Sequence, residues 1–256
     1  MSSTPMATVA ASGKNPATTP HPLHGFFITG TDTEIGKTCI TAGLTRAFDD
    51  LGRYVTPIKS LAAGQARDAD GVWVNEDVAL LHAAQRQGMT MDEVGPLQFR
   101  EPCAPHIAAK LEGRAIERLA LLTAIRRAAS KGDFALIEGV GGFRVPLTDD
   151  WDTADLAVDL AMPVVLVVGL RLGCINHALL TAEAILARGL RLAGWVANTA
   201  DPHQPHVADN LAALHARLDR GLSVPCWGHV PRLQDPSPAA VAAHLQQPLL
   251  LNALKA

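Results

Sequence analysis

Gly30-Thr31-Asp32-Thr33-Glu34-Ile35-Gly36-Lys37-Thr38 gathers two glycines, a lysine and a hydroxyl into one short stretch. That combination suits anion chemistry. Backbone N–H groups that converge at a helix start offer donors and the positive end of a dipole to a phosphate. From there Lys37 reaches β- and γ-phosphates, and the Thr38 hydroxyl reaches the Mg2+ that travels with a nucleotide. The spacing is irregular. Five residues separate Gly30 from Gly36 where the strict pattern has four, so Thr31 stands where a first glycine is expected.

Such a loop works only between a strand and a helix. The apolar run Phe26-Phe27-Ile28 precedes it, and Ile40, Leu44, Ala47, Phe48 and Leu51 follow at helical spacing up to a stop at Gly52. Further strands are expected at Tyr54–Ile58, Phe134–Ile137, Pro163–Val168, Leu192–Ala197 and Cys226–Val230. The run after Pro163 is the clearest, because four of its five apolar residues are β-branched. Helices are expected from Glu76 to about Gln87 behind an Asn75 cap, over Ala115–Ala129, from Leu172–Asn176 to Arg188, and near His206–Leu218. The segment Ala62–Gly71 reads as loop, and Glu101–Lys110 as a Pro-punctuated loop entering a helical turn. Strands alternating with helices imply an α/β class domain, a mostly parallel sheet covered on both faces. Ligands of such sheets collect at the C-terminal strand ends. Gly30, Lys59, Glu138, Gly169, Asn198 and Pro231 all fall there.

Composition narrows the function classes. The 256 residues suffice for one large domain, and 48% of them are apolar, enough for a sizeable core. A net charge of -3 and 4% aromatic residues argue against nucleic acid and anionic membranes as partners. Cys39, Cys103, Cys174 and Cys226 lie far apart with no C-x-x-C spacing, which fits free thiols in a reducing cytoplasm. No run approaches the roughly twenty apolar residues of a membrane span. Residues 1–24 are Ser-, Thr-, Pro- and Ala-rich with Lys14 as their one charge, and they read as a disordered tail before a domain over residues 25–256.

The remaining polar residues have more than one reading. Glu138 closes an apolar strand before a glycine-rich turn, where it is either a solvated carboxylate or part of a Mg2+ shell. Asp77, in a first helical turn, suits the helix dipole as well as a metal. Lys59 is either a surface lysine or one aimed at phosphate. The start of the helix at Cys174-Ile175-Asn176 offers N–H groups to an anion. Cys39 and Cys174 read as small core residues, since no base adjoins them in sequence. His106, His177 and His229 have no metal-ligand spacing.

Several stretches together resemble the dethiobiotin synthetases of the P-loop NTPase superfamily. They are Thr29–Thr38, Glu101-Pro…Pro105-His-Ile107, Glu138-Gly-Val-Gly-Gly142, Val167–His177 and Leu192–Asn198, within a resemblance that spans roughly Gly25 to Leu233. The five-residue loop spacing is the form this family uses. The resemblance implies a three-layer α/β/α fold and a cytoplasmic homodimer. It further implies a C–N-forming cyclo-ligase that converts 7,8-diaminononanoate, CO2 and ATP, with Mg2+, into dethiobiotin, ADP and phosphate by way of a carbamate and its phosphoric anhydride. By the same resemblance Lys37 and Lys59 are catalytic, and Thr38, Asp77 and Glu138 hold Mg2+. Thr33, Glu34, Ile35, Gly36, Lys37, Thr38 and Cys39 surround the phosphates, while Asn198 and Pro231 meet adenine. Lys59, Ala63, Gly141 and Asn176 face the diamine, and Cys174-Ile175 hold its distant carboxylate across the dimer interface.

One departure stands out. The family usually reads Pro-Val-Ala-Ser-Gly after the catalytic lysine, whereas this chain reads Ser60-Leu-Ala-Ala63-Gly64. A hydroxyl expected near the amines is missing, so diamine positioning is expected to be looser or restored by Ser60 or a water. The rival class is a nucleotide-driven switch of the partition and septum-placement type. Those carry an extra lysine early in the loop, where this chain has Thr31 and Asp32. An amide-forming ligase of cofactor synthesis would need a glutamine-hydrolysing domain, for which no length remains.

Overall fold

The computed structural model describes residues 22–199, 201 and 203–255. The N-terminal tail of the sequence reading therefore lies almost wholly outside the described residues. Six strands form the central sheet: β1 (Gly25–Gly30), β2 (Val55–Lys59), β3 (Phe134–Glu138), β4 (Val164–Gly169), β5 (Leu192–Asn198) and β6 (Cys226–Val230). All pair in parallel, in the order β6-β5-β4-β1-β3-β2. Consecutive side chains of a strand point to opposite faces, and this divides the core in two. Phe26, Ile28, Phe134, Leu136, Val165 and Val167 face one side. Phe27, Ala135, Ile137, Val164, Leu166 and Val168 face the other. Burial on both faces explains why these strands read as unbroken apolar runs.

Helices cover both faces. On the first side lie α1 (Lys37–Asp50), α8 (Pro238–Ala242) and α9 (Gln247–Ala253), which contribute Ile40, Leu44, Phe48, Val241 and Leu250. On the second lie α2 (Glu76–Ala84), α3 (Pro105–Leu111), α4 (Arg118–Ala129), α5 (Thr153–Leu160), α6 (Cys174–Ala187) and α7 (Val207–Leu214). The result is the expected three-layer α/β/α arrangement. No helix among the described residues is long and apolar enough to cross a membrane.

Several boundaries differ from the sequence reading, each for a local reason. Helix α2 starts where Asn75 accepts from the Val78 N–H, yet it stops at Ala84. There Gln85 turns extended and its side chain accepts from the N–H groups of Gln87 and Met89. Helix α4 begins at Arg118, three residues later than periodicity suggests. The stretch read as loop from Ala62 contains two short pairings, Ala62–Ala63 with Gln98–Phe99 and Ala66–Arg67 with Trp73–Val74. Beyond α7 the chain makes a π-helical turn, His215–Asp219, in which Asp219 accepts from Trp195 Nε1 at 2.6 Å and pairs with His215 Nδ1 at 2.7 Å. Helices α5, α8 and α9 are absent from the sequence reading altogether. For α5 the cue was present, because Asp152 and Asp155 form a capping box.

Candidate active site

The six C-terminal strand ends form one rim, and the phosphate loop runs along its centre. Ile35 anchors the loop from below. Its side chain is 1% exposed and fills the space a Cβ would take at Gly169, where Ile35 Cγ2 would lie only 2.5 Å away. Gly36, the residue before α1, is left-handed (φ 81°), and a side chain there would strike the Asn198 amide. Three side-chain ties fix the loop to its neighbours. Asn198 Nδ2 donates to the Ile35 carbonyl at 2.8 Å, Arg171 pairs with Asp32, and Thr31 Oγ1 accepts from the Gly169 N–H.

Lys37 is buried, and its Nζ donates to the Asp32 carbonyl at 2.7 Å. Burial lowers its pKa to about 8, although Glu138 pulls the other way. Behind it lies a second set of charges. Glu138 is fully buried, and its Oε1 accepts from the Thr38 hydroxyl at 2.8 Å and from Lys59 Nζ at 2.7 Å. Lys59 Nζ also donates to Asp77 Oδ2 at 2.6 Å. Burial works against the Lys59 ammonium, but Glu138 and Asp77 outweigh it and hold its pKa above the ordinary lysine value. For Asp77 burial pushes upward, and Lys59 overcomes it to leave the carboxyl below its usual range. Thr38, Glu138, Lys59 and Asp77 are thus joined by hydrogen bonds through Glu138 Oε1 and Lys59 Nζ.

Glu138 Oε2 has no hydrogen-bond partner among the described residues although it is buried. An orphaned buried carboxylate oxygen is costly unless something occupies the adjoining space. With the Thr38 hydroxyl and the Asp77 carboxylate near the same lysine, the donors are all hard oxygens, the set that Mg2+ takes.

This group opens into a cleft of about 810 Å³, also lined by Thr33, Glu34, Gly36, Cys39, Ala63 and Gly141. Its far wall is apolar, with Leu80, Pro102, Cys103, Val140 and Val145. A smaller cavity of about 300 Å³ adjoins it, shares Glu34, Gly36 and Cys39, and is lined by Asn198 and Pro231. A groove of about 680 Å³ along α4, lined by Leu119, Thr123 and Arg127, includes no residue of the phosphate loop.

A family profile described as an AAA domain matches residues 24–240. The ATP-dependent dethiobiotin synthetase BioD of Janthinobacterium sp. (strain Marseille) is 50% identical over 234 residues, 90% of this chain and 97% of that protein. The chain belongs to the dethiobiotin synthetase family. Its similarity to the BioD of Aromatoleum aromaticum, 48% identical over 223 residues, covers 87% of this chain and 97% of the relative. Among solved structures, cobyrinic acid a,c-diamide synthase from Mycobacterium smegmatis, with bound ATP analog and magnesium, matches with a TM-score of 0.50. At 17% identity over 91% of this chain and 96% of that one, the likeness is one of fold.

One expectation drawn from the family pattern changes against the geometry. Ser60 does not replace the missing serine at Ala63, because its buried hydroxyl donates to the Glu138 carbonyl at 2.8 Å. Cys174, Ile175 and Asn176, which the resemblance assigns to the diamine and to its carboxylate across a dimer interface, lie outside the cleft of this chain. The Cys174 side chain is buried in the core, and its N–H donates to the Arg171 carbonyl at 3.0 Å. Only the Ile175 and Asn176 amides at that helix start remain for an outside acceptor. Sequence reasoning passed over Arg171 and the roles of Asp32 and Ile35. It also quoted Pro102, Cys103 and Val140 within motifs without assigning them to the cleft wall.

Proposed function

We propose that the cleft binds ATP, CO2 and 7,8-diaminononanoate and closes the cyclic urea of dethiobiotin, with ADP and phosphate released. The observation that carries this reading is the shared Glu138 carboxylate, which links the phosphate loop through Thr38 to the lysine facing the cleft. In the first step one amine adds to CO2, an N–C bond forms and a proton leaves, giving a carbamate. A carbamate oxygen then attacks the γ-phosphorus and ADP departs. The second amine attacks the carbonyl carbon, phosphate is expelled and the ring closes.

Carbamate and triphosphate are both anions, so cationic side chains between them supply the main stabilisation. Lys37, in its charged form, holds the phosphates together with the loop N–H groups from Thr33 to Cys39. Lys59 lies between the γ-phosphate and the carbamate. Thr38, Asp77 and Glu138 would hold Mg2+, which supplies charge neutralisation at the phosphate oxygens when bound. The base occupies the smaller cavity beside Asn198 and Pro231, and Ala63 and Gly141 face the diamine, whose chain runs along Pro102, Val140 and Val145.

The enzyme acts as a homodimer in the cytoplasm. Leu172 and Leu180, at and near the start of α6, are 95% and 57% exposed, an apolar surface that suits a second copy. There the Ile175 and Asn176 amides would meet the carboxylate of a diamine held by the partner. The four cysteines are free, as a reducing compartment requires. Phosphate release is measured with Mg-ATP, adding bicarbonate and 7,8-diaminononanoate separately and together. Release that needs both, with dethiobiotin detected by mass, is expected. Release indifferent to both would overturn the assignment.

A further inference from the structure

Two walls of the cleft are tied to one buried amide that the reaction above does not use. Asn75 is 4% exposed and stands directly ahead of α2. Its side-chain oxygen accepts from the Val78 N–H at 3.2 Å. Its nitrogen donates to the Gly64 carbonyl at 2.8 Å and to the Ala63 carbonyl at 3.3 Å. The orientation of the amide is fixed from both sides. A backbone N–H can only donate and a carbonyl can only accept, so the oxygen and nitrogen cannot exchange places.

What each end of the amide holds bears on the site. The oxygen caps the first turn of α2, the turn that carries Asp77 to Lys59 Nζ at 2.6 Å. The nitrogen holds a turn that is clamped elsewhere by backbone. Ala62–Ala63 pair with Gln98–Phe99, and the Gln65 N–H donates to the Arg100 carbonyl at 3.1 Å. Gly64 is left-handed (φ 88°), and a Cβ there would lie 3.3 Å from Pro102 of the apolar wall. Ala63 lines the cleft with a methyl group alone, so the backbone of this turn sets where that part of the wall stands. Serine and aspartate cap helices as well as asparagine does, yet neither supplies two N–H donors beside the acceptor.

We propose that Asn75 is a positioning residue that aligns the metal side of the cleft with the diamine side. Its oxygen sets Asp77 through the start of α2, and its nitrogen sets the Ala63–Gly64 turn. The diamine half of this role rests on the diamine facing Ala63, as assigned above. Asn75 does not itself line the cleft, and it acts through the two elements it joins.

Two substitutions separate the two ends. Asn75→Ser keeps an acceptor for the Val78 N–H and removes the donors to the turn, whereas Asn75→Ala removes both. Calorimetric Kd values for 7,8-diaminononanoate, with Mg2+ and a non-hydrolysable ATP analogue, read the turn without turnover. The Mg2+ concentration needed for half-maximal ATP binding reads Asp77. Both variants are expected to weaken diamine binding about three- to tenfold, the scale of one hydrogen bond. Only Asn75→Ala should also raise the Mg2+ requirement, by about threefold or more. Unimpaired ATP binding in Asn75→Ser serves as its folding control. A purely structural asparagine would lower the melting temperature of both variants and leave the two affinities unsplit. Unchanged diamine binding in Asn75→Ser, or an equal Mg2+ requirement in the two variants, overturns the proposal. Absence of diamine binding by the unmodified protein would instead count against the reaction assigned above, and the Mg2+ comparison would still decide the α2 half.

Discussion

Raising the pH through 8 should weaken ATP binding, and the cause is a single lysine. Lys37 is only 6% exposed, and burial brings its pKa to about 8. Phosphate binding needs the ammonium, so the free protein must first take up a proton wherever Lys37 is neutral. With a pKa near 8, about a tenth of the molecules need that proton at pH 7, about half at pH 8 and about nine-tenths at pH 9. Affinity for ATP should therefore be almost level up to pH 7.5 and fall about tenfold between pH 7 and pH 9. Calorimetry in buffers of different ionisation enthalpy reads the proton directly, and about 0.5 proton per ATP is expected at pH 8. Burial moves two nearby groups away from this window. The His229 pKa lies below 6.5, and burial raises Cys39 above its thiol value of 9.0. The sign matters for stability as well. A lysine whose folded pKa is depressed below its unfolded value of about 10.4 disfavours folding at pH 7, and that cost disappears as pH rises past 10.4. Buffer-independent binding heats and a flat affinity from pH 7 to pH 9 would refute the reasoning, and Lys37→Met should abolish the pH dependence together with most of the affinity.

Three further outcomes are expected. Glu138→Gln removes the carboxylate shared by Thr38 and Lys59 and should lower kcat about 10²–10³-fold. It should also raise the Mg2+ concentration needed for half-maximal ATP binding, as a magnesium titration would show. Ala63→Ser should lower the diamine KM by up to about tenfold without altering the KM for ATP, because it adds one hydrogen bond on the diamine side of the cleft. Unchanged diamine kinetics would show that the missing serine has no consequence here. Ile35→Ala opens a cavity beneath the phosphate loop beside Gly30 and Gly169. Denaturant melts should show a loss of about 2–5 kcal/mol, with a weaker ATP affinity alongside.

The parts of the site legible in the sequence are those where local chemistry and topology agree. Gly36, Lys37 and Thr38 declare a phosphate loop within a few residues, and apolar runs mark the strand ends that carry Lys59, Glu138 and Asn198. Asn75 likewise declared its helix, because an N-cap acts over three residues. What remained hidden depends on long-range geometry. Thr38 and Glu138 meet across 100 positions, and Asp32 and Arg171 across 139. No local rule says that one carboxylate oxygen will take two donors while the other takes none. Ser60, expected beside a water as one substitute for the serine missing at Ala63, turns instead toward the Glu138 backbone 78 positions away. The π-helical turn answers to Trp195 on a neighbouring strand, which helical periodicity in residues 206–218 cannot register.

The parallel sheet also sets where the molecule can be handled. Every strand delivers its chemistry at one rim, and the chain enters the central strand β1 at the opposite rim, where the His24 carbonyl accepts from the Ala135 N–H at 2.8 Å. The six-residue strand from Gly25 to Gly30 carries the chain about 17 Å from one rim to the other. An affinity handle, a fluorophore or a surface linker joined directly to Pro22 thus starts from the side of the sheet away from the cleft. Immobilised preparations made in that orientation should keep the nucleotide side facing solution.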